Sequence, residues 1–194
     1  MRMALAAVAM FSALATTEGS VATSAPSIAS GATPLILEKN EGEKRVWRPI
    51  EGAEGWDAVP GPFILKIDPR NGGSSHLVFV TEDVPPGASI PRHRHPGADE
   101  ILFFQNGKAR VTLGGRVRQV RGGATVFVPA NTWISATNIG TEPIHGVFVF
   151  SAPGFEGFMR AESAPEGQKI TRLSKAEDAQ LMKEHAHAVI YAGP

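Results

Sequence analysis

The chain has 194 residues, 42% of them hydrophobic and 20% charged, which suits one globular domain with its own core and is short for two. Lysine plus arginine equals aspartate plus glutamate at 19 each, so no net field draws the chain to nucleic acid or to an anionic membrane surface. The absence of cysteine excludes a disulfide framework, thiolate metal ligands and a cysteine nucleophile, while 21 Gly and 15 Pro point to many turns and hence to β-structure.

The N-terminus opens Met1-Arg2-Met3, runs through a small, apolar stretch over 4–15 and then turns to Thr, Ser, Gly and Pro. This is the order of a charged n-region, an h-region and a cleavage zone. Ala13-Leu14-Ala15 and Ser20-Val21-Ala22 are the cleavage candidates, so residues 1–22 are expected to be a signal peptide and the mature protein to be periplasmic or secreted. An unstructured N-terminal tail is the competing reading. No other segment approaches the ~20 apolar residues of a bilayer span, so no membrane association is expected of the mature chain. Residues 23–34, without periodicity, read as a disordered linker.

The fold is expected to begin near Leu35 and to occupy 35–154. Short β-prone runs at 63–67, 76–81, 100–105, 109–113, 116–120, 125–128, 132–137 and 144–150 alternate with turn signals, the spacing of an all-β sandwich or barrel. Gly114-Gly115 is a two-residue hairpin signal, because both central positions of a type I′ turn need positive φ. Ile101-Leu102-Phe103-Phe104 and Val147-Phe148-Val149-Phe150 are apolar on both faces, which fits strands caught between a filled interior and a second layer or a subunit contact. A homodimer is the expected assembly. After Pro153, Phe155-Glu156-Gly157-Phe158-Met159 suits a helical turn, and Ser174 with Glu177 forms a capping-box signature for a helix running to about Ala188. Residues 155–194 are thus expected to be a helical extension packed on the barrel, with no internal repeat and no second domain.

His93-Arg94-His95 is the most informative tripeptide, because residues i and i+2 of a strand project to the same face and two imidazoles can meet one ion. Glu100, at the start of the next strand, is near enough after a short turn to add a carboxylate. Neutral imidazole with carboxylate suits iron, manganese, nickel, copper or zinc. Arg92 and Arg94 alternate to the opposite face, His76 has no partner and reads as structural, and Trp133, Phe104 and Phe148 read as core before pocket wall. His185 and His187 diverge by about 200° on a helix and are not expected to chelate together.

The pattern Gly87-x5-His93-x-His95-x4-Glu100-x6-Gly107 resembles the first motif of the cupin superfamily at every fixed position. Gly123-x5-Pro129-x-Asn131-x2-Ile134-x3-Asn138 is similar to the second motif with two departures. Asn131 replaces a glycine, and Asn is the residue that next most readily accepts positive φ. Ile134 replaces the histidine that in the family is usually the fourth protein ligand. The resemblance implies a double-stranded β-helix, or jelly-roll, barrel holding one divalent transition metal ion. Three consequences of Ile134 stay open: a three-ligand site with positions for water, oxygen or substrate; a site completed by His145; or a barrel that has lost its metal.

The function this implies is a small metalloenzyme acting on an organic oxyanion, a dioxygenase resembling the quercetinase-like cupins, with His93, His95, Glu100 and His145 as the ligand set and Glu100 also as a base. The rival is a non-catalytic module that binds a small carbohydrate or carboxylate. Either way the expected partner is a small molecule.

Overall fold

The computed structural model describes residues 32–52 and 61–193, so the expected signal peptide and most of the linker lie outside the described residues. Two antiparallel sheets enclose one apolar core. The larger has the order β11-β1-β2-β3-β10-β5-β8 and the smaller β12-β4-β9-β6-β7. The strands are β1 (Glu43–Trp47), β2 (Pro62–Ile67), β3 (Val78–Val84), β4 (Ser89–Arg94), β5 (Glu100–Phe104) and β6 (Lys108–Leu113). There follow β7 (Arg116–Arg121), β8 (Thr125–Val128), β9 (Ile134–Asn138), β10 (Ile144–Phe150), β11 (Ser163–Pro165) and β12 (Ile190–Tyr191). Two short helices, α1 (Phe155–Ala161) and α2 (Lys175–Glu184), complete the set. The all-β barrel with a short C-terminal helix is the architecture the motifs implied.

Alternation decides which side chains fill the interior. On β5, Glu100, Leu102 and Phe104 are buried, whereas Ile101 and Phe103 point outward at 41% and 37% exposure. Val126 and Val128 of β8 continue the inner layer, and Phe127, paired with Ile101, is exposed outside. Phe63, Leu65, Val78, Val80, Phe148 and Phe150 close the core from β2, β3 and β10. The Gly114-Gly115 turn joins β6 to β7 as expected, with φ of 54° and 83° and Leu113 opposite Arg116. Gly87 and Gly107 both adopt φ of 79°, and Asn131 stands at φ of 63°, the positive value for which Asn is suited.

Several sequence expectations shift. β3 begins at Val78, leaving His76 exposed ahead of it. β9 begins at Ile134, and Trp133 is not core: its ring lies under the guanidinium groups of Arg92 and Arg94 at 4.5 and 4.7 Å. The Ser174 capping box forms, but α2 ends at Glu184, so His185 is its C-cap and His187 lies beyond it. Strands β1, β11 and β12 have no periodic apolar pattern and exist because distant segments pair them. Among the described residues no helix is long and apolar enough to cross a membrane.

Candidate metal centre

β4 and β5 are joined by a short turn that is fastened at both ends. Asn131 N donates to His95 O at 2.7 Å, Ala130 N donates to Asp99 Oδ1 at 2.8 Å, and Asp99 N donates to Ser151 Oγ at 2.9 Å. This turn sets His93, His95 and Glu100 on the interior of the barrel, where they are 5%, 2% and 3% exposed. One ligand atom from each lies within 4.8 Å of the others, and this is the group of metal-binding type found among the described residues. A single ion with bonds of ~2.0–2.2 Å can bridge that spacing after small side-chain adjustments.

The imidazoles are oriented by their other nitrogens. His93 Nδ1 donates to Pro91 O at 2.8 Å and His95 Nδ1 donates to Ala188 O at 2.9 Å. A carbonyl only accepts, so each ring carries its proton on Nδ1 and turns an Nε2 lone pair inward. His95 is further locked between Phe150 and Phe155, with ring centroids at 4.9 and 4.6 Å. Tyr191 packs on His93 at 5.6 Å, and β12 pairs with β4 at His93 and Arg94.

The electrostatics favour uncharged forms. Burial holds His93 below the ordinary imidazole value and takes His95 down to about 3, with His93 adding to the effect on His95. Burial pushes Glu100 up to about 8. His95 Nε2 and Glu100 Oε2 stand 3.9 Å apart, too far for a hydrogen bond. Both atoms are fully buried without a hydrogen-bond partner among the described residues. Polar atoms so placed are costly unless something satisfies them, and a divalent cation satisfies a lone pair and a carboxylate together. The donor set therefore fits a metal ion.

His145 is not brought to this cluster. It follows Ile144 on β10, and its parity is opposite to that of Phe148 and Phe150, so it points out of the barrel. There it is hydrogen-bonded through Nδ1 to Asp83, with both side chains substantially exposed. The expectation that His145 supplies the missing imidazole is corrected on that geometry. Ile134 instead sits directly opposite His93 across the β4–β9 pair and is 1% exposed. Asn138 of the second motif is structural: its Nδ2 donates to Val84 O and Glu142 O at 2.9 and 2.8 Å.

Beside the cluster opens a cavity of about 330 Å³, walled by side chains such as Trp47, Val80, Ile90, Leu102, Phe148 and Met159. His93 and Glu100 form part of its wall, and α1, α2 and β12 contribute Phe155, Met182 and Tyr191. Phe148 is both core and cavity wall, whereas Phe104 is core alone. Sequence reasoning missed Glu82, which also lines this space and accepts a hydrogen bond from Trp47 Nε1 at 2.7 Å. Desolvation pushes Glu82 up to about 7, the Trp47 bond opposing the shift and the Asp83 charge adding to it. The available signal was parity, since Glu82 interrupts the inward row Val78, Val80, Val84.

Comparison with known proteins agrees with this architecture. Residues 80–150 match the cupin domain family. A crystal structure of a predicted oxalate decarboxylase from Thermotoga maritima superposes with a TM-score of 0.52 at 18% identity, covering 61% of this chain and 100% of that one. The oxalate decarboxylase of Lactobacillus farciminis, solved as a formate complex, gives 0.45 at 24% identity over 48% of this chain and 29% of that one. An RmlC-like cupin from Shewanella frigidimarina gives 0.44 at 18% identity over 57% and 88%. No curated protein matches the sequence. Two antiparallel sheets, a buried His-His-Glu cluster and the family match identify residues 80–150 as a cupin domain.

Proposed function

We propose that the protein is a metalloenzyme that holds one divalent transition metal ion through His93, His95 and Glu100 and acts on a small organic oxyanion in the adjoining cavity, in the manner of a dioxygenase. The observation that carries the metal is the pair of buried, unpartnered atoms His95 Nε2 and Glu100 Oε2. A bound divalent ion there supplies Lewis-acid polarisation of a substrate oxygen. The chain's own contribution is orientation and exclusion. Pro91 O and Ala188 O fix both imidazole tautomers. The apolar wall keeps water from competing with substrate. Glu100, a buried carboxylate at the cluster, would also be placed to take a proton from a substrate there by moving off the ion.

The lining argues against oxalate itself as the substrate. A small dianion would meet an apolar wall and the two further carboxyls Glu82 and Glu162, against one lining cation, Arg48, whose Nε is held by Thr171 O on the exposed side. A larger, mainly apolar oxyanion suits the space better. The test is oxygen consumption by protein loaded in turn with iron, manganese, nickel and copper, offered flavonols and diketones. Consumption with one metal and one substrate class supports the reading, and none with any combination removes its enzymatic part.

Ile134 favours a second reading, a non-catalytic cupin that binds a small molecule with a weak metal site. Sub-stoichiometric metal that His93→Ala leaves unchanged supports this rival. The outward row Ile101, Phe103 and Phe127 supports a homodimer contact, to be read by sedimentation at micromolar concentration.

A further inference from the structure

Glu82 has no part in the metal cluster, yet it lies on the inward face of β3 in the same cavity. Its place is set by register. Glu82 pairs with Gly146 of β10, and Phe150 of β10 pairs with Glu100. From Gly146 to Phe150 is four residues, about 13 Å at the ~3.3 Å rise of a strand. The two carboxyls therefore stand at opposite ends of one cavity. Between them the inward residues of this sheet are Val80, Phe148 and Leu102, all apolar.

Oε1 of Glu82 accepts from Trp47 Nε1. The Trp47 bond engages Oε1, which leaves Oε2 of this half-buried carboxyl as an acceptor facing the apolar corridor. A Trp partner alone would be served as well by an uncharged amide, so the carboxyl is more than that contact requires.

We propose that Glu82 is a substrate anchor, accepting a hydrogen bond from a hydroxyl at the far end of an elongated, mainly apolar ligand whose oxygen-bearing end lies against His93, His95 and Glu100. The ligand class is thus an apolar body with oxygen functions at both ends. This rests on the proposed function only for the near end of the ligand; the Glu82 contact itself needs no metal. The cavity of about 330 Å³ lies at the small end of the ~300–1,000 Å³ range of small-molecule sites, which favours a single slender ligand.

The probes are 4-propylphenol and propylbenzene, which share an apolar body and differ in one hydroxyl. Calorimetric titration of the full chain at pH 8, where Glu82 is mostly ionised, with and without added metal, is expected to show the phenol binding at least about tenfold tighter, the range of a hydrogen bond to a charged acceptor. Glu82→Gln keeps an oxygen for Trp47 but replaces the charged acceptor with an NH₂ that can only donate a weaker, neutral bond to the phenol oxygen, so the preference should fall to a few-fold at most while propylbenzene binding stays the same. Equal binding of both probes to the wild type overturns the proposal, as does an undiminished preference in Glu82→Gln. Should Glu82→Gln fold poorly, Glu82→Met serves as the second variant, with loss of the preference again expected and its retention again overturning the proposal. Metal content measured on the same samples reports separately on the metal reading, so the two can fail independently.

Discussion

Strands β4 and β9 lie side by side in the smaller sheet, yet they face the metal centre in opposite ways. β4 delivers His93 and leads directly into His95, whereas β9 places Ile134 directly opposite His93. The partners further out are apolar as well: Leu113 next to Ile134 on β6, and Phe150 and Val128 beside Glu100 on β10 and β8. All three donors thus come from an eight-residue stretch of chain, and the rest of the ring is hydrocarbon. A centre built from one local piece is assembled by a single turn, but its rigidity must come from elsewhere. Here that support is the C-terminal segment, through Ala188 O on His95 and the β12 pairing on β4.

The contrast is broken most severely by removing a donor. His93→Ala and His95→Ala are each expected to abolish stoichiometric metal, a loss larger than the ~10–100-fold typical of outer-shell changes. Metal analysis after native purification, with titration of the stripped protein, reads this directly. Deleting the chain from Ala188 onward leaves every donor in place but removes the carbonyl that sets the His95 tautomer. A loss of about 10–100-fold in metal affinity is expected, together with intact secondary structure by circular dichroism. Unchanged affinity would show that the local turn suffices.

Giving β9 the residue its neighbour carries sharpens the comparison from the other side. Ile134→His places an imidazole opposite His93 and should tighten metal binding by about tenfold. In the stripped protein the same change buries a polar ring at a position 1% exposed and should cost about 1–3 kcal/mol in urea unfolding.

The pH response follows from the same burial. Glu100 has an ordinary value of 4.5 and a folded value of about 8, so across that window the folded state holds a proton the unfolded chain has lost. Its contribution to stability therefore declines as pH rises from about 4.5 to 8. His95 moves the other way, from 6.5 to about 3, so its contribution declines as pH falls below 6.5. With Glu82, raised to about 7, adding to the alkaline loss and His93, lowered, adding to the acidic one, metal-free protein should be most stable between about 4.5 and 6.5, and Glu100→Gln should flatten the alkaline side by no more than about 2 kcal/mol. Metal binding releases the Glu100 proton, so affinity should rise about tenfold per pH unit below 8 and level off above.

The donors were legible in the sequence because they are neighbours in it. His93 and His95 share strand parity, Glu100 follows one turn later, and the flanking glycines take the positive φ that makes such turns cheap. The helix start at Ser174 and the β6–β7 hairpin were legible for the same reason, since each is fixed by residues within four positions. What was not legible depends on register between distant segments. Ala188 reaches His95 across 93 positions, β12 consists of Ile190–Tyr191 with no pattern to announce it, and Glu82 enters the cavity only once β3 is paired with β10. Trp133 was misplaced because an aromatic next to a strand looks like core until its arginine partners are known.

The smallest expected effect concerns His145, the residue that spacing alone offered as a fourth ligand. Its parity on β10 sends it outward, and Phe148 and Phe150 of the same strand line the inner wall. Its partner is Asp83, and with these side chains 36% and 52% exposed the pair is screened by solvent. His145→Ala should therefore leave metal stoichiometry and affinity unchanged and shift unfolding by no more than about 1 kcal/mol. Asp83→Asn should produce the same small change, and the double variant no more than either alone, because both report one surface contact. If His145→Ala instead lowered metal affinity as His93→Ala does, β10 would have to rotate its outward face inward. Phe148 and Phe150 would then leave the core, and the loss of cooperative unfolding that follows would be visible in the same titration.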